Sequence, residues 1–174
     1  MGRPAIDRTR CATYQDVLDA PEHLIAQVVD GELILSPRPA IPHASSTSGI
    51  GADLHFAFHR RSGGGRGPGG WWILDEPELH LDRDILVPDL AGWRRERLPE
   101  LPRAPYLTMA PDWVCEVLSP ATARLDRIRK TRIYSREAVG HLWLVDPDLR
   151  TLEVLQLEDG RWVLLQAFAG DEPV

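Results

Sequence analysis

Lysine is almost missing from this chain: of its 20 basic residues only Lys130 is a lysine, and the other 19 are arginine. Wherever a solvated positive charge suffices the chain uses arginine. The exception suggests a place for a compact ammonium that a planar guanidinium does not replace, the alternative being the chance survival of one lysine on a solvated helix. Long apolar runs are also missing. None approaches the roughly 20 residues of a membrane helix, and the arginine-bearing N-terminus has no signal-peptide apolar stretch, so a cytoplasmic protein with no membrane partner is expected. Only two cysteines occur, Cys11 and Cys115, far apart in sequence, which fits reduced thiols and excludes a disulfide framework. There is no excess of positive charge either. The net charge of −6 excludes long-range attraction of nucleic acid, so any such contact is local.

What is present reads as a mixed α and β chain. Residues 1–12 are expected as a flexible tail and 13–174 as one domain. Thr13 followed by Asp16 has capping-box spacing and opens a short helix over 13–20. Apolar runs at 25–29 and 32–35 flank Asp30-Gly31, a dipeptide suited to a tight hairpin turn. After the stiffening prolines Pro37, Pro39 and Pro42, the residues Ile50, Leu54, Ala57 and Phe58 recur at helical spacing. Residues 62–70 form a glycine-rich loop. Strands are predicted at 71–74, 78–81, 85–93 and 113–118, a helix at 122–138, and strands at 141–145, 151–157 and 161–168, the last two around Asp159-Gly160.

Two acids lie inside apolar strand-like runs: Asp89 in Val87-Pro88-Asp89-Leu90 and Glu116 in Val114-Cys115-Glu116-Val117-Leu118. A buried carboxylate needs a cation or donors, and two on neighbouring strands suit a hard divalent cation such as Mg²⁺. Asp126, Lys130 and Tyr134 recur every fourth residue and share one helix stripe, placing Lys130 at the edge of the packed face. From there the ammonium can cross to Glu116. The competing account is a surface ion pair between Asp126 and Lys130.

These segments, followed by Leu142-Trp143-Leu144-Val145-Asp146-Pro147, resemble the Uma-type restriction endonuclease family of the PD-(D/E)XK superfamily. The resemblance runs from the Asp30-Gly31-Glu32 hairpin to the strand ending near Phe168. It implies an α-β-β-β-α-β core with a mixed sheet flanked by helices, extended by the N-terminal hairpin and the C-terminal strands. It also implies hydrolysis of DNA with Mg²⁺ or Mn²⁺ held by Asp89, Glu116 and the carbonyl of Val117. The superfamily lysine stands two residues after the acid. That position is Leu118 here, so the resemblance implies that Lys130 has migrated to the following helix.

Glu32 and His43 are secondary candidates on the same resemblance, and Tyr134 on its place in the stripe. Positive charge gathers at Arg60, Arg61 and Arg66, at Arg94, Arg95 and Arg97, and around the helix that carries Lys130, where Arg127 and Arg129 are candidate substrate contacts. His55 and His59 have the i, i+4 spacing of a zinc pair, but Phe56 stands where a metalloprotease-type motif needs an acid. A catalytically silent module binding DNA or a protein is the rival from another class. A homodimer fits a fold that cuts two strands.

Overall fold

The computed structural model describes residues 10–59 and 68–170. Of the expected tail 1–12, residues 1–9 lie outside that range. Residues 10–12 are tied down: Arg10 pairs with Asp16, and the Ala12 N–H donates to the Gly31 carbonyl at 2.8 Å. Residues 62–67 of the glycine-rich loop and the cluster Arg60, Arg61 and Arg66 also lie outside the described residues.

Helix α1 (Tyr14–Leu18) starts at Thr13, whose N–H and hydroxyl both donate to the Asp16 carboxylate. Strands β1 (Leu24–Val29) and β2 (Glu32–Pro37) pair antiparallel around Asp30 and Gly31, both at positive φ (52° and 79°), as the right-handed twist of a two-residue hairpin requires. Helix α2 (Ile41–Phe58) begins earlier than the apolar spacing predicts. Pro42 stands in its first turn, where a missing N–H costs nothing. Ile50, Leu54 and Phe58 pack against Ile73, Leu90, Trp113, Cys115 and Val117.

Strands β3 (Trp71–Asp75), β4 (Leu79–Leu81), β5 (Asp84–Leu86), β6 (Leu90–Arg94), β7 (Trp113–Val117), β8 (His141–Asp146), β9 (Thr151–Glu158) and β10 (Arg161–Ala169) follow. The described strands form two sheets, ordered β2-β1-β5-β4 and β10-β9-β8-β7-β6-β3. In the larger sheet β7 and β8 are parallel and the other neighbours antiparallel, so the sheet is mixed. Taking α2, β3, β6, β7, the helix after β7 and β8 in order gives the α-β-β-β-α-β core.

Two expectations change. The single strand over 85–93 is two strands in different sheets, β5 and β6. Pro88 has no N–H for a ladder and holds Val87 extended, so the chain leaves one sheet there and enters the other. Asp89 therefore stands immediately before β6 rather than within a strand. The helix expected over 122–138 has a π-helical segment (Leu125–Lys130) running into α3 (Thr131–Arg136).

Side chains alternate along β7. Cys115 and Val117 face α2, whereas Val114 and Leu118 belong to a second core with Ile133, Tyr134, Leu142 and Leu144. Glu116 shares that second face. Both cysteines are free thiols, Cys11 exposed and Cys115 buried.

Candidate active site

Every residue of β7 is buried, and Glu116 keeps only 1% of its surface exposed. Stripping water from a carboxylate costs several kcal/mol unless charge and hydrogen bonds replace it. Here the replacements come from the helix packed on that face. Lys130 Nζ donates to Glu116 Oε1 at 3.0 Å and Oε2 at 3.1 Å, and the Tyr134 hydroxyl donates to Oε1. Lys130 is itself 2% exposed, deeper than the packed-face edge where its spacing puts it. The surrounding elements meet above it: Nζ also donates to the Val87 carbonyl at 3.3 Å and pairs with Asp126 Oδ1 at 3.1 Å.

Asp126 is the residue that sequence reasoning missed. It is 3% exposed, so its pair with Lys130 is a buried bridge and not the solvated one that i, i+4 spacing suggests. The available signal was the stripe Asp126, Lys130, Tyr134, which faces inward as a unit because the π-helical segment lies against β7.

Asp89 approaches from the other side of β7. Its Oδ2 accepts the Val117 N–H at 2.7 Å, its backbone carbonyl accepts the Glu76 N–H at 3.0 Å, and its Oδ1 lies 3.1 Å from His43 Nε2. His43 comes from the first turns of α2. A groove of about 470 Å³, lined among others by His43, Thr47, His55, Asp75 and Glu76, lies along α2 on this side, with His43 between it and Asp89. Carboxylates from β7 and the β5–β6 crossing thus meet a lysine from one sheet face and a histidine from the other.

The electrostatics follow from burial and charge count. Two carboxylates, those of Glu116 and Asp126, contact one ammonium, and the charge of Asp89 reaches it from farther off. Burial pushes Glu116 up to about 8, with Asp126 and Asp89 adding to the rise against the attraction of Lys130. Burial pulls Lys130 down, but the charges of Glu116, Asp126 and Asp89 outweigh it and its pKa is raised. The hydrogen bond to Asp89 raises His43 against its burial. Burial and then the Glu116 charge push the Tyr134 hydroxyl well above its ordinary value.

The other candidates lie elsewhere. Glu32 is exposed and accepts from Arg129 Nη1 at 2.7 Å, and Arg129 also holds Asp30 and the Val29 carbonyl. Arg127 grips both oxygens of Glu153 at 3.0 and 2.9 Å. His55 and His59 stack at 4.7 Å between ring centroids. His55 Nδ1 lies 2.8 Å from the Gly51 carbonyl, and His59 Nδ1 accepts the Ile73 N–H at 3.0 Å. Among the described residues no three His, Cys, Asp or Glu side chains make a ready metal cage, and none of their helices is long and apolar enough to cross a membrane.

A mixed sheet in this strand order, with acids at β7 and the entry to β6 and a lysine from the next helix, defines a restriction-endonuclease-like fold. The fold is shared with the crystal structure of a putative nuclease belonging to DUF820 from Anabaena variabilis ATCC 29413, at a TM-score of 0.72 and 21% identity, covering 93% of this chain and 86% of that one. No curated protein matches the sequence. Residues 12–174 match the Uma2 family, described as putative restriction endonuclease, and the chain belongs to that family.

Proposed function

We propose that the protein is an endonuclease of PD-(D/E)XK type that hydrolyses phosphodiester bonds in DNA with Mg²⁺ or Mn²⁺. The observation that carries this is the count of acids: the buried Glu116 and Asp126 and the partly exposed Asp89 gather around Lys130, the only fully buried lysine or arginine among the described residues. A hard divalent cation fits that imbalance and the all-oxygen donor set, since Mg²⁺ takes few carboxylates and keeps several waters. Asp89, Glu116 and the Val117 carbonyl would hold it. When bound, such a cation supplies positive charge to the phosphoryl oxygens and makes an attacking water more acidic.

The remaining roles belong to the chain. Lys130, kept charged by its carboxylates, faces the negative charge that builds in the transition state. Tyr134 fixes the Glu116 carboxylate, and Asp126 anchors Lys130. His43 orients Asp89 from the groove side. Arg127 and Arg129 contact substrate only by exchanging their present carboxylates for phosphate, whereas Glu32 holds Arg129 in place.

One observation favours a silent DNA-binding module instead: both oxygens of Glu116 already accept hydrogen bonds from Lys130, and Oε1 a second one from Tyr134. Incubating supercoiled plasmid with Mn²⁺ or Mg²⁺ separates the two. Nicking that chelator stops and Asp89→Ala lacks supports the enzyme. DNA affinity without cleavage supports the module.

A further inference from the structure

Gln27 is a polar residue in the middle of β1 with 3% of its surface exposed. Its side-chain oxygen accepts the Val87 N–H at 2.9 Å. The carbonyl of the same Val87 accepts from Lys130 Nζ at 3.3 Å. Val87 is thus gripped at both ends, by Gln27 from the small sheet and by Lys130 from the helix, at the point where the chain crosses between sheets. Pro88 follows, fixing its own φ and holding Val87 extended, so little freedom remains between Val87 and Asp89.

We infer that Gln27 is a positioning residue for Asp89, acting through the Val87-Pro88 segment to set where that carboxylate stands against Val117 and Glu116. The inference rests on the nuclease centre proposed above. Interior strand residues are normally apolar or paired in the ladder, and a buried amide kept at this position is explained by the one backbone donor that it satisfies. Val87 follows the end of β5, so without Gln27 its partly buried N–H loses the acceptor that holds it, and the crossing is free to shift. Groups that orient a metal ligand from behind typically cost about 10–100-fold in metal affinity when removed.

The test compares Gln27→Met, which keeps the volume and loses the acceptor, with the wild type. Mn²⁺ affinity is measured by calorimetry, and cleavage of a labelled duplex is measured at steady state. The expected result for Gln27→Met is Mn²⁺ affinity weakened about tenfold and kcat lowered with KM for the duplex unchanged. Wild-type Mn²⁺ affinity and kcat in a folded Gln27→Met, or a change confined to KM, overturn the inference. If Gln27→Met does not fold, Gln27→Asn, whose shorter amide falls short of Val87, is read in the same way. Failure of both to fold overturns it too, because the bond then serves the sheet and not Asp89. A wild-type protein inert to Mn²⁺ sinks the nuclease proposal along with this one, whereas an active wild type beside an unaltered Gln27→Met sinks this one alone.

Discussion

Lys130 Nζ sits 3.0 Å from Glu116 Oε1, although the two residues belong to different elements and stand fourteen positions apart. Leu118 points into the same core as Ile133 and Leu142. The helix after β7 is laid so that its polar stripe covers the strand acid, and the ammonium arrives from above.

Burial makes Lys130 structural as well as chemical. Lys130→Ala leaves Glu116 and Asp126 facing each other without a cation, and breaking a buried pair in this way costs about 3–5 kcal/mol. Urea unfolding in the presence of chelator is expected to show that loss, together with the absence of metal-dependent cleavage. A variant as stable as wild type would mean that solvent reaches the pair.

Tyr134→Phe removes one donor to Glu116 and nothing else of size. Hydrogen bonds to charged groups are worth about 1.5–3 kcal/mol, and a loss in that range is expected in the same unfolding assay. The Tyr134 bond lowers the Glu116 pKa, so its removal raises that pKa further. Unchanged stability would contradict the contact.

The pH dependence has a definite sign. The folded-state pKa values of His43 and Glu116 are both raised. For His43 the stabilisation is fully present below its ordinary value of 6.5 and is lost as pH rises through the raised value. For Glu116 the loss runs from 4.5 up to about 8. In chelator, stability of the wild type relative to His43→Gln is therefore expected to be greatest at the acid end and to shrink toward alkaline pH. Glu116→Gln is expected to lose less stability than wild type between those two Glu116 values. Parallel pH profiles would contradict both assignments.

Gly92 tests the other face of the sheet. A Cβ there would stand 3.2 Å from Ile73 Cδ1, 3.2 Å from Trp113 Cε3 and 3.3 Å from Trp71 Cε3. Gly92→Val overfills this space, and overpacking of this kind costs about 1–3 kcal/mol. A lowered urea midpoint with an unchanged slope is the expected outcome; an unshifted midpoint would show that the tryptophans give way.

What was legible in the sequence follows from how local each signal is. The Asp30-Gly31 and Asp159-Gly160 turns carry their conformation in their own residues, and both appear with positive φ throughout. The i, i+4 stripe put Asp126, Lys130 and Tyr134 on one side of a helix. Spacing could not say how deep that side lies, because depth depends on how the π-helical segment docks on β7. Asp126 therefore read as a surface partner. The change of sheet at Pro88 was hidden for a similar reason: Ile85 and Trp93 belong to equally apolar runs, and only the pairing partners reveal that β5 joins β1 while β6 joins β7. Arg127 and Arg129 read as free charge because Glu153, Asp30 and Glu32 are distant in sequence.

Whether Asp89 and Glu116 hold a divalent cation, as proposed, is read by titrating the protein with Mn²⁺ and following the electron paramagnetic resonance signal of the free ion. Saturable binding by the wild type, weakened at least about tenfold in Asp89→Asn and in Glu116→Gln, is the predicted result. Absence of binding, or equal binding by all three proteins, would contradict it.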